Sequence, residues 1–522
     1  MSNMGIRQIC AIFASTRWFI ALVAGVIAAT AAYILFSPDT IAFASFLLLS
    51  LLFPLAFYYP RQAFLLLLMA RSVVDIAGDI PIISLSFLPL ISLRGISLNL
   101  SATLGILLIG WGLWYFMKYW PLPRFKGKMA LMIFFIVGTI SVMTSMDIME
   151  SGQEFIKFIN LIWVFIIAFD IVKDWRGYWT LISALAAAIV VPLIVASAQL
   201  ISGEGLSYEI SNRLMGTFGH PNTFAFALIM AFSAWLIMGE MWKYKRSSCP
   251  SWLCSLRTKA TFRIVYTVLL CFLLLTYTRG AWIGLSILLL VFGFRFTWRK
   301  TTAVLVSIAL TVSLFPLFNS ALYSYTGFDL TDSQLVRRFS TDEEDMTSWA
   351  WRVRSWKEIS VKLHSLPWFG YGVGMYPKVR EETISYITDL KSREAHNDYM
   401  RLTIEIGYLG VISYSLFFIL MASEFLHRSV TSQDETEKRV FTIAGATVAA
   451  FIIMSIADNI LRATAVNWLL WALMGGTLGL SYHLRPHTPA FPSQRSVMNP
   501  VRNNKKRLLT GMKYYERHKT NF

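Results

Sequence analysis

About fourteen apolar runs of roughly 20 residues each constrain this chain more than any other feature of its sequence. Runs of this length match the hydrocarbon thickness of a bilayer and are typical of transmembrane helices. The chain is 56% apolar and 15% charged, whereas a soluble domain carries roughly 25% charged residues. The sequence therefore predicts an all-α polytopic membrane protein with about 12–14 transmembrane helices. The runs lie near 17–37, 40–58, 62–84, 98–118, 128–146, 155–172, 177–202, 222–242, 262–278, 281–297, 302–320, 399–426, 440–459 and 463–483.

Lysine and arginine are concentrated in alternate connections between these runs, as the positive-inside rule requires of cytoplasmic loops. Threading the chain from a cytoplasmic N-terminus places each of these lysine- and arginine-rich connections inside and makes the C-terminus cytoplasmic as well. The predicted organisation has transmembrane helices 1–11 within residues 1–320 and one long extracytoplasmic loop at 321–398. The last three transmembrane helices follow at 399–483, and a basic cytoplasmic tail at 484–522.

The run near 62–84 contains Arg71, Asp75 and Asp79, and it therefore has two interpretations. Ionisable residues within a membrane often mark a functional polar site. We favour the other interpretation, in which a short helix ends near Arg71 and a re-entrant or surface segment follows through Arg94.

The formal net charge of +17 is concentrated next to predicted transmembrane helices. Nine lysines or arginines and one acid lie in the tail from Leu484 to Phe522, and six basic residues lie in the loop from Lys243 to Arg263. Contact with anionic membrane lipids explains these segments better than a nucleic-acid partner does. The four cysteines form no C-x-x-C pair, so we expect free thiols.

His396 stands where the long polar loop ends and the next apolar run begins. A neutral imidazole is a natural base for a hydroxyl near neutral pH, and the positive end of a helix dipole keeps it neutral. Asn397 or Asp398 is expected to cap this helix, and Glu394 and Asp398 are expected to orient the imidazole. The alternative interpretation is an ordinary interfacial histidine.

Arg279 lies between two apolar half-stretches of about 15 residues each. A single helix across both would be about 50 Å long, so the chain must turn near Arg279 and Gly280. A guanidinium at this turn would face outward at the depth of a lipid-linked diphosphate, whose oxygens arginine binds in bidentate fashion. A snorkelling interfacial arginine is the alternative.

Two further external segments carry arginine. Arg213, His220 and Asn222 lie in a glycine-rich turn where backbone amides and polar side chains can contact an anion. A plain turn that begins the next helix explains them equally well. Arg352 and Arg354 alternate with tryptophan, a pattern that suits sugar stacking and phosphate pairing but also fits a structural aromatic cluster.

Two other motifs indicate no chemistry. The run from Gly370 to Gly374 lacks the lysine of a phosphate loop and is interpreted as a turn. The acidic run from Asp342 to Asp345 lacks the alternating spacing of a cation site, so a solvated loop is favoured and no metal site is expected. No carboxylate pair indicates glycoside hydrolysis, and no nucleophilic serine or cysteine motif occurs.

In order and spacing, these polar motifs resemble those of the O-antigen ligase and O-antigen polymerase superfamily. The resemblance runs through roughly 205–410 of the chain. It is carried by Arg213–Asn222, Thr278–Trp282, Arg352 four residues before Trp356, Pro367 ahead of the glycine-rich run, and His396-Asn397 followed by Gly407 and Gly410.

The resemblance implies a helical fold of the glycosyltransferase C type in the bacterial inner membrane, with the active site facing the periplasm. Members transfer glycans from an undecaprenyl-diphosphate carrier, and the implied reaction is an inverting displacement without metal or other cofactor. Carried over by motif, Arg279 and Arg352 would bind the carrier diphosphate and His396 would be the base that activates the acceptor hydroxyl. The residues expected to contact substrate are Arg213, His220, Asn222, Arg354 and Asn397. Arg354 is also a competitor for the role of Arg352.

Three functions follow from these expectations. The favoured function is an O-antigen ligase, whose acceptor is a lipid A–core sugar. A polymerase would instead use a second lipid-linked repeat as acceptor, and the shared motifs do not separate the two. A flippase for the same lipid would show intramembrane charges along a pathway and internal pseudo-symmetry, of which only the charges near Arg71 give a hint.

Overall fold

The structure of the chain is a computed structural model that describes residues 59–74, 81–84, 97–119, 125–203, 206–208, 211–249, 258–297, 299, 302, 348–383 and 394–484. The predicted runs near 17–37 and 40–58, nearly all of the run near 302–320, the acidic run from Asp342 to Asp345 and the tail beyond Leu484 lie outside these residues. Contacts divide the chain into a main unit, Met1–Leu480, and a C-terminal unit, Ser481–Phe522, of which 481–484 are described.

Helices make up most of the described residues. They are α1 (Pro60–Val74), α2 (Leu100–Tyr119), α3 (Lys128–Met143), α4 (Ile148–Ile171), α5 (Trp175–Ala187), α6 (Val190–Ser202), α7 (Pro221–Tyr244), α8 (Lys259–Leu275), α9 (Arg279–Thr297), α10 (Ser348–Ser360), α11 (Tyr376–Glu381), α12 (Asp398–Thr431), α13 (Glu435–Met454) and α14 (Thr464–Leu484). Two small antiparallel strand pairs accompany them: β1 (Pro81–Ser84) with β2 (Ser97–Asn99), and β3 (Leu206–Tyr208) with β4 (Ser211–Arg213).

Within the described residues, four helical segments are long and apolar enough to cross a membrane, which confirms the all-α membrane class. They are Trp175–Ser202, Pro221–Tyr244, Arg279–Thr297 and Asp398–Thr431. Two shorter apolar helical segments, Leu104–Lys118 and Lys128–Met143, coincide with predicted runs. The total of about 12–14 spans and the division of the chain at residue 320 stay predictions.

The run near 62–84 does not form one continuous helix. α1 ends at Val74, shortly after Arg71, and strand β1 occupies Pro81–Ser84. Arg71 is 2% exposed, and its guanidinium lies over the Trp468 ring, 5.7 Å from the ring centroid. The predicted end of this helix near Arg71 is therefore confirmed, with the last helical residue at Val74, and the re-entrant or surface segment through Arg94 stays a prediction.

α7 is the most deeply buried of the four long segments. In the apolar 18-residue stretch of α7, 89% of the residues are buried, whereas in that of α9 only 28% are buried. α7 packs against α5, α8 and α13, and α12 packs along α13 and α3. Near the start of α7, the rings of Phe224 and Phe226 are buried. Because a close-packed interior resists displacement, the residues at the start of α7 stand on a rigid support.

Polar residues directly before the apolar runs fix where several helices begin. Asp147, Asp174 and Asp434 each accept a hydrogen bond from a backbone amide in the first turn of α4, α5 and α13. A side-chain cap of this kind satisfies a donor that the helix itself leaves without a partner. The helix boundaries therefore follow from local sequence as well as from hydropathy.

α12 is interrupted at Gly407, whose φ of 76° and ψ of 178° lie in a region that essentially only glycine adopts. The interruption leaves the carbonyl groups of Ile404 and Glu405 without helical partners. They accept hydrogen bonds from the backbone amides of Tyr371 (2.9 Å) and Gly372 (3.0 Å). The break in α12 is therefore the docking point of the glycine-rich run.

The run from Gly370 to Gly374 is a turn, as its sequence indicates. All three of its glycines have positive φ, and a side chain at Gly370 would overlap the backbone of Glu405. Ser151 Oγ donates to the carbonyl of Val373 at 2.6 Å and so ties the turn to α4. The glycines thus allow close backbone approach within the protein and form no phosphate loop.

The substitution Gly407→Ala is expected to destabilise the protein by about 1–3 kcal/mol, because the backbone conformation excludes a side chain and the new Cβ overlaps the carbonyl oxygen of Trp368. The measurement is thermal unfolding of the purified protein in detergent. Gly152→Ala is the matched control, since its Cβ would meet nothing within 4 Å in the second turn of α4. Equal unfolding temperatures for the two variants would contradict the docking interpretation.

Candidate active site

His396 lies at the junction between the polar segment and α12, as predicted. Its φ of 46° is in the left-handed region that residues other than glycine seldom occupy. Asn397 follows as the N-cap of α12, and its Oδ1 accepts hydrogen bonds from the amides of Tyr399 and Met400 at 3.0 Å each. The expected cap is therefore confirmed for Asn397, and the backbone direction of His396 is fixed by that cap.

Asp458 is a charged partner of His396 and was not predicted from the sequence. Its Oδ1 lies 3.7 Å from Nδ1 of His396, and its Oδ2 accepts a hydrogen bond from Nδ2 of Asn222 at 2.5 Å. Burial acts to raise the pKa of Asp458, but the neighbouring His396 and the charge of Arg352 hold that pKa below its ordinary value. An ionised carboxylate beside an imidazole orients the ring and stabilises its protonated form.

The contacts of Glu394 and Asp398, which were expected to orient His396, are to the segment around Leu461, and their role toward the imidazole stays a prediction. Glu394 accepts a hydrogen bond from Nδ2 of Asn459 at 3.0 Å and pairs with Arg462. The Asp398 carboxylate is fully buried and accepts from the amide of Leu461 at 3.2 Å. Both carboxylates hold the connection between α13 and α14 in place, and that connection presents Asp458 to the imidazole.

Arg213 ends strand β4 and is 9% exposed. Its Nε donates to the carbonyl of Thr276 at 2.9 Å, and its Nη2 donates to Oδ1 of Asn222 at 2.8 Å and to Oγ1 of Thr278 at 3.1 Å. One guanidinium therefore joins the start of α7 to the connection between α8 and α9. It positions Asn222, whose other amide atom contacts Asp458.

His220 caps α7 by accepting a hydrogen bond at Nδ1 from the amide of Asn222 at 3.1 Å. Burial is the main reason that the pKa of His220 lies below its ordinary value. Asp458 opposes this shift, whereas Arg213, His396 and Arg352 add to it. The cap needs an unprotonated Nδ1, so the lowered pKa keeps the cap intact at neutral pH.

The variant His220→Ala is expected to lose about 1 kcal/mol of stability because α7 loses its cap, whereas His220→Asn retains a capping oxygen. The lowered pKa also gives a pH dependence. Below pH 6.5 the unfolded chain binds a proton at His220 more readily than the folded chain does, so stability falls as the pH falls. Unfolding temperatures measured between pH 5 and pH 8 should fall more steeply in the wild type than in His220→Asn; identical slopes would contradict the assignment.

The predicted turn near Arg279 is confirmed. Tyr277, with φ of 50°, lies in the connection between α8 and α9, and Arg279 is the first residue of α9. The Thr278 carbonyl accepts from the amides of Ala281 (3.1 Å) and Trp282 (3.2 Å). A cation at a helix N-terminus adds to the positive end of the helix dipole, so this position favours a bound anion.

α10 places Arg352 in the same cluster. Trp356, one turn further along α10, donates from Nε1 to the carbonyl of Ala395 at 2.7 Å, immediately before His396. Burial is the main cause of a lowered pKa for Arg352; Asp458 opposes it, and the positive charge of Arg279 adds to it. Two neighbouring guanidinium groups that repel each other form an environment suited to an anion with two negative groups.

Arg354 differs from Arg352 in its surroundings. Its side chain is 50% exposed, and its Nε lies 3.6 Å from Oε1 of Glu358 on the same helix. Glu358 in turn accepts a hydrogen bond from the fully buried Arg380 at 2.5 Å. Arg354 is therefore part of a charge network along α10 and α11, and Arg352 is the better placed of the two for the cluster around Asp458.

The structure thus brings a pair of neighbouring guanidinium groups close to an imidazole–carboxylate pair. The first can stabilise negative charge, and the second can accept a proton from a hydroxyl. The residues that the contacts and electrostatic interactions bring together are Arg213, His220, Asn222, Arg279, Arg352, His396 and Asp458.

Among the described residues, no group of three or more histidine, cysteine, aspartate or glutamate side chains is placed to hold a metal ion. Cys271 is a free cysteine, as expected. The expectation of a free thiol was wrong for Cys249, which is disulfide-bonded.

Residues 264–415 match the family model described as O-antigen ligase. The match includes Arg279, Arg352 and His396, whereas Arg213, His220, Asn222 and Asp458 lie outside it. It confirms the resemblance found in the motifs and supports a membrane glycosyltransferase-like enzyme of O-antigen biosynthesis. No curated protein matches the chain.

Proposed function

Because residues 264–415 match the O-antigen ligase family, we propose that the chain transfers a glycan from undecaprenyl diphosphate to a sugar hydroxyl of lipid A–core. The reaction takes place at the periplasmic face of the bacterial inner membrane. The observation that carries the proposal is the His396–Asp458 pair beside the neighbouring guanidinium groups of Arg279 and Arg352.

Arg279 and Arg352 bind the diphosphate of the donor in this mechanism. Charge develops on the leaving diphosphate as its bond to the glycan breaks, and fixed positive groups stabilise that charge most strongly in a site that excludes water. The two guanidinium groups supply this charge without a metal ion. Arg213 acts through Asn222 and the connection to α9, and so keeps both halves of the site in register.

His396 is the base. Its Nδ1 faces Asp458, so Nε2 is the nitrogen that accepts the proton from the acceptor hydroxyl. The hydroxyl oxygen attacks the anomeric carbon while the carbon–oxygen bond to the diphosphate breaks, which inverts the anomeric configuration. The Asp458 carboxylate stabilises the imidazolium that forms, because the lowered pKa of Asp458 keeps the carboxylate ionised at neutral pH.

Asp458→Asn is expected to reduce kcat by up to about 10⁴-fold, the loss seen when the carboxylate that orients an imidazole base is replaced by its amide. Asp458 acts through His396, so the substitution should add little to the loss already caused by His396→Asn. The measurement is a double-mutant cycle on transfer rates. Fully multiplicative losses would contradict this positioning role.

The test of the proposed function uses purified protein in lipid vesicles with undecaprenyl-diphosphate oligosaccharide as donor. Product that forms when lipid A–core is added supports the ligase. If the donor alone yields lengthened glycan, the protein is instead a polymerase that uses a second lipid-linked repeat as acceptor. Movement of donor across the bilayer without any transfer would overturn both in favour of a flippase.

A further inference from the structure

A second group of charged side chains lies directly beside the His396–Asp458 pair. Glu394 and Asn459 are close in sequence to His396 and Asp458, and they repeat the pairing between the same two segments, with 3.0 Å between Nδ2 of Asn459 and Oε2 of Glu394. Arg462 pairs with Glu394. Glu394 and Asn459 thus connect this group to the candidate base His396. We name the group the acceptor-side group, and its residues are Glu154, Lys157, Glu394, Arg401, Asn459 and Arg462.

Two side chains of this group, Arg401 and Glu154, are held in place by ion pairs within the protein. Arg401 is 8% exposed, and its Nε donates to Oε1 of the fully buried Glu405 at 2.8 Å. Its Nη2 lies 4.0 Å from Oε2 of Glu154, which also pairs with Lys157 and interacts electrostatically with Arg462. The buried side of the group is therefore fixed by the Arg401–Glu405 ion pair on the first turns of α12.

Three side chains of the group remain accessible to solvent. Arg462 is 51% exposed, Glu394 28% and Glu154 27%. Ion pairs exposed to this degree contribute little to stability, so folding alone gives a weak reason for the arrangement. Accessible donors and acceptors that a buried ion pair holds in place are instead suited to binding a polar ligand.

The charges of the group show which ligand it suits. Carboxylates alternate with cationic groups, so the group as a whole does not attract a diphosphate in the way that Arg279 and Arg352 do. A sugar ring carries neighbouring hydroxyl groups that each donate and accept hydrogen bonds. A carboxylate accepts from such a hydroxyl and a guanidinium donates to it, and these charge-assisted hydrogen bonds are the stronger ones.

We infer that the acceptor-side group binds the terminal sugar ring of the acceptor and presents its hydroxyl to His396. The inference rests on the proposed transfer function and adds the acceptor subsite to it. Glu154 and Arg462 contact the ring hydroxyls, and Arg401 positions Glu154. The donor diphosphate and the acceptor sugar then approach the base from two chemically different surfaces.

The test varies acceptor concentration at saturating donor with the purified protein in lipid vesicles. The acceptor is whichever of lipid A–core or unlabelled lipid-linked repeat yields product with the wild type. Glu154→Gln and Arg462→Gln are each expected to raise the KM for acceptor about tenfold with kcat and donor binding retained, because one charge-assisted hydrogen bond is lost. Lys362→Gln, which breaks an exposed ion pair with Glu382 on the segment after α10, is the matched control and should leave the KM unchanged.

The possible results distinguish a failure of the proposed acceptor subsite from a failure of the proposed function. A wild-type protein that transfers no glycan would overturn the proposed function. An active wild type whose two variants keep the wild-type KM for acceptor would overturn the subsite alone. Loss of donor binding in both variants would also overturn it, since the group would then support the fold rather than bind the acceptor.

Discussion

Replacing His396 with asparagine is expected to reduce glycan transfer by about 10²–10⁴-fold, the contribution of a positioned general base. The imidazole that receives the hydroxyl proton is removed, and an amide cannot accept that proton at neutral pH. Asparagine is the preferred replacement because it tolerates the left-handed backbone conformation at this position, where φ is 46°. The measurement is the initial rate of transfer by purified protein in lipid vesicles.

The control for His396→Asn is the binding of donor. Arg279 and Arg352 are unchanged in this variant, so the donor should bind with wild-type affinity while turnover is lost. His364, an exposed histidine in the short helical turn after α10, provides a second control, and His364→Asn should keep full activity. Turnover close to the wild-type rate in folded His396→Asn would contradict the assignment of the base.

Arg352→Ala is expected to reduce transfer by about 10²–10³-fold, the usual effect of removing one group that stabilises transition-state charge. Arg352 is partly buried and interacts with both Arg279 and Asp458. The loss should appear mainly in kcat, because the charge on the leaving diphosphate is greatest in the transition state. Rates at saturating donor and acceptor measure this directly.

Arg354→Ala is the matched control, since it removes the same side chain two residues away on the same helix. Arg354 is half exposed and pairs with Glu358, so its loss is expected to change the rate little. A larger loss in Arg354→Ala than in Arg352→Ala would exchange the roles of the two arginines. Equal and small losses would remove α10 from the diphosphate site.

The predictable part of the fold follows from physics that acts on short stretches of chain. Runs of about 20 apolar residues must be helical in a bilayer, so α7 and α12 could be predicted from hydropathy. The turn at Arg279 followed from helix length alone. The end of α1 at Val74 was predicted only approximately, because the charges of Arg71, Asp75 and Asp79 indicate a break in the helix without fixing its last residue.

The candidate site was predictable where its residues lie in short motifs. His396 and Arg279 stand at junctions between polar and apolar sequence, and both junctions exist in the structure. Asp458 stands at the end of an apolar run without a motif of its own. Its proximity to His396 arises from the packing of α12 against α13, a contact between segments about 60 residues apart that local sequence does not encode.

The roles of Arg213 and Asn397 show a second limit. Substrate contact was predicted for both, and the helix cap by Asn397 was predicted as well. In the structure both form hydrogen bonds within the protein, and their contact with substrate stays a prediction. A buried guanidinium and a capping amide satisfy backbone groups that would otherwise lack partners. Sequence alone does not distinguish a polar residue that binds a ligand from one that holds the chain around it.

The most direct measurement of the central claim is the release of undecaprenyl diphosphate by the purified protein in lipid vesicles. If the Arg279–Arg352 pair and His396 transfer glycan as proposed, one carrier diphosphate is released for each glycan found on the acceptor. The same experiment with His396→Asn should release neither product at a comparable rate. Donor that crosses the bilayer with its glycan still attached, at equal rates in the wild type and in His396→Asn, would contradict the account.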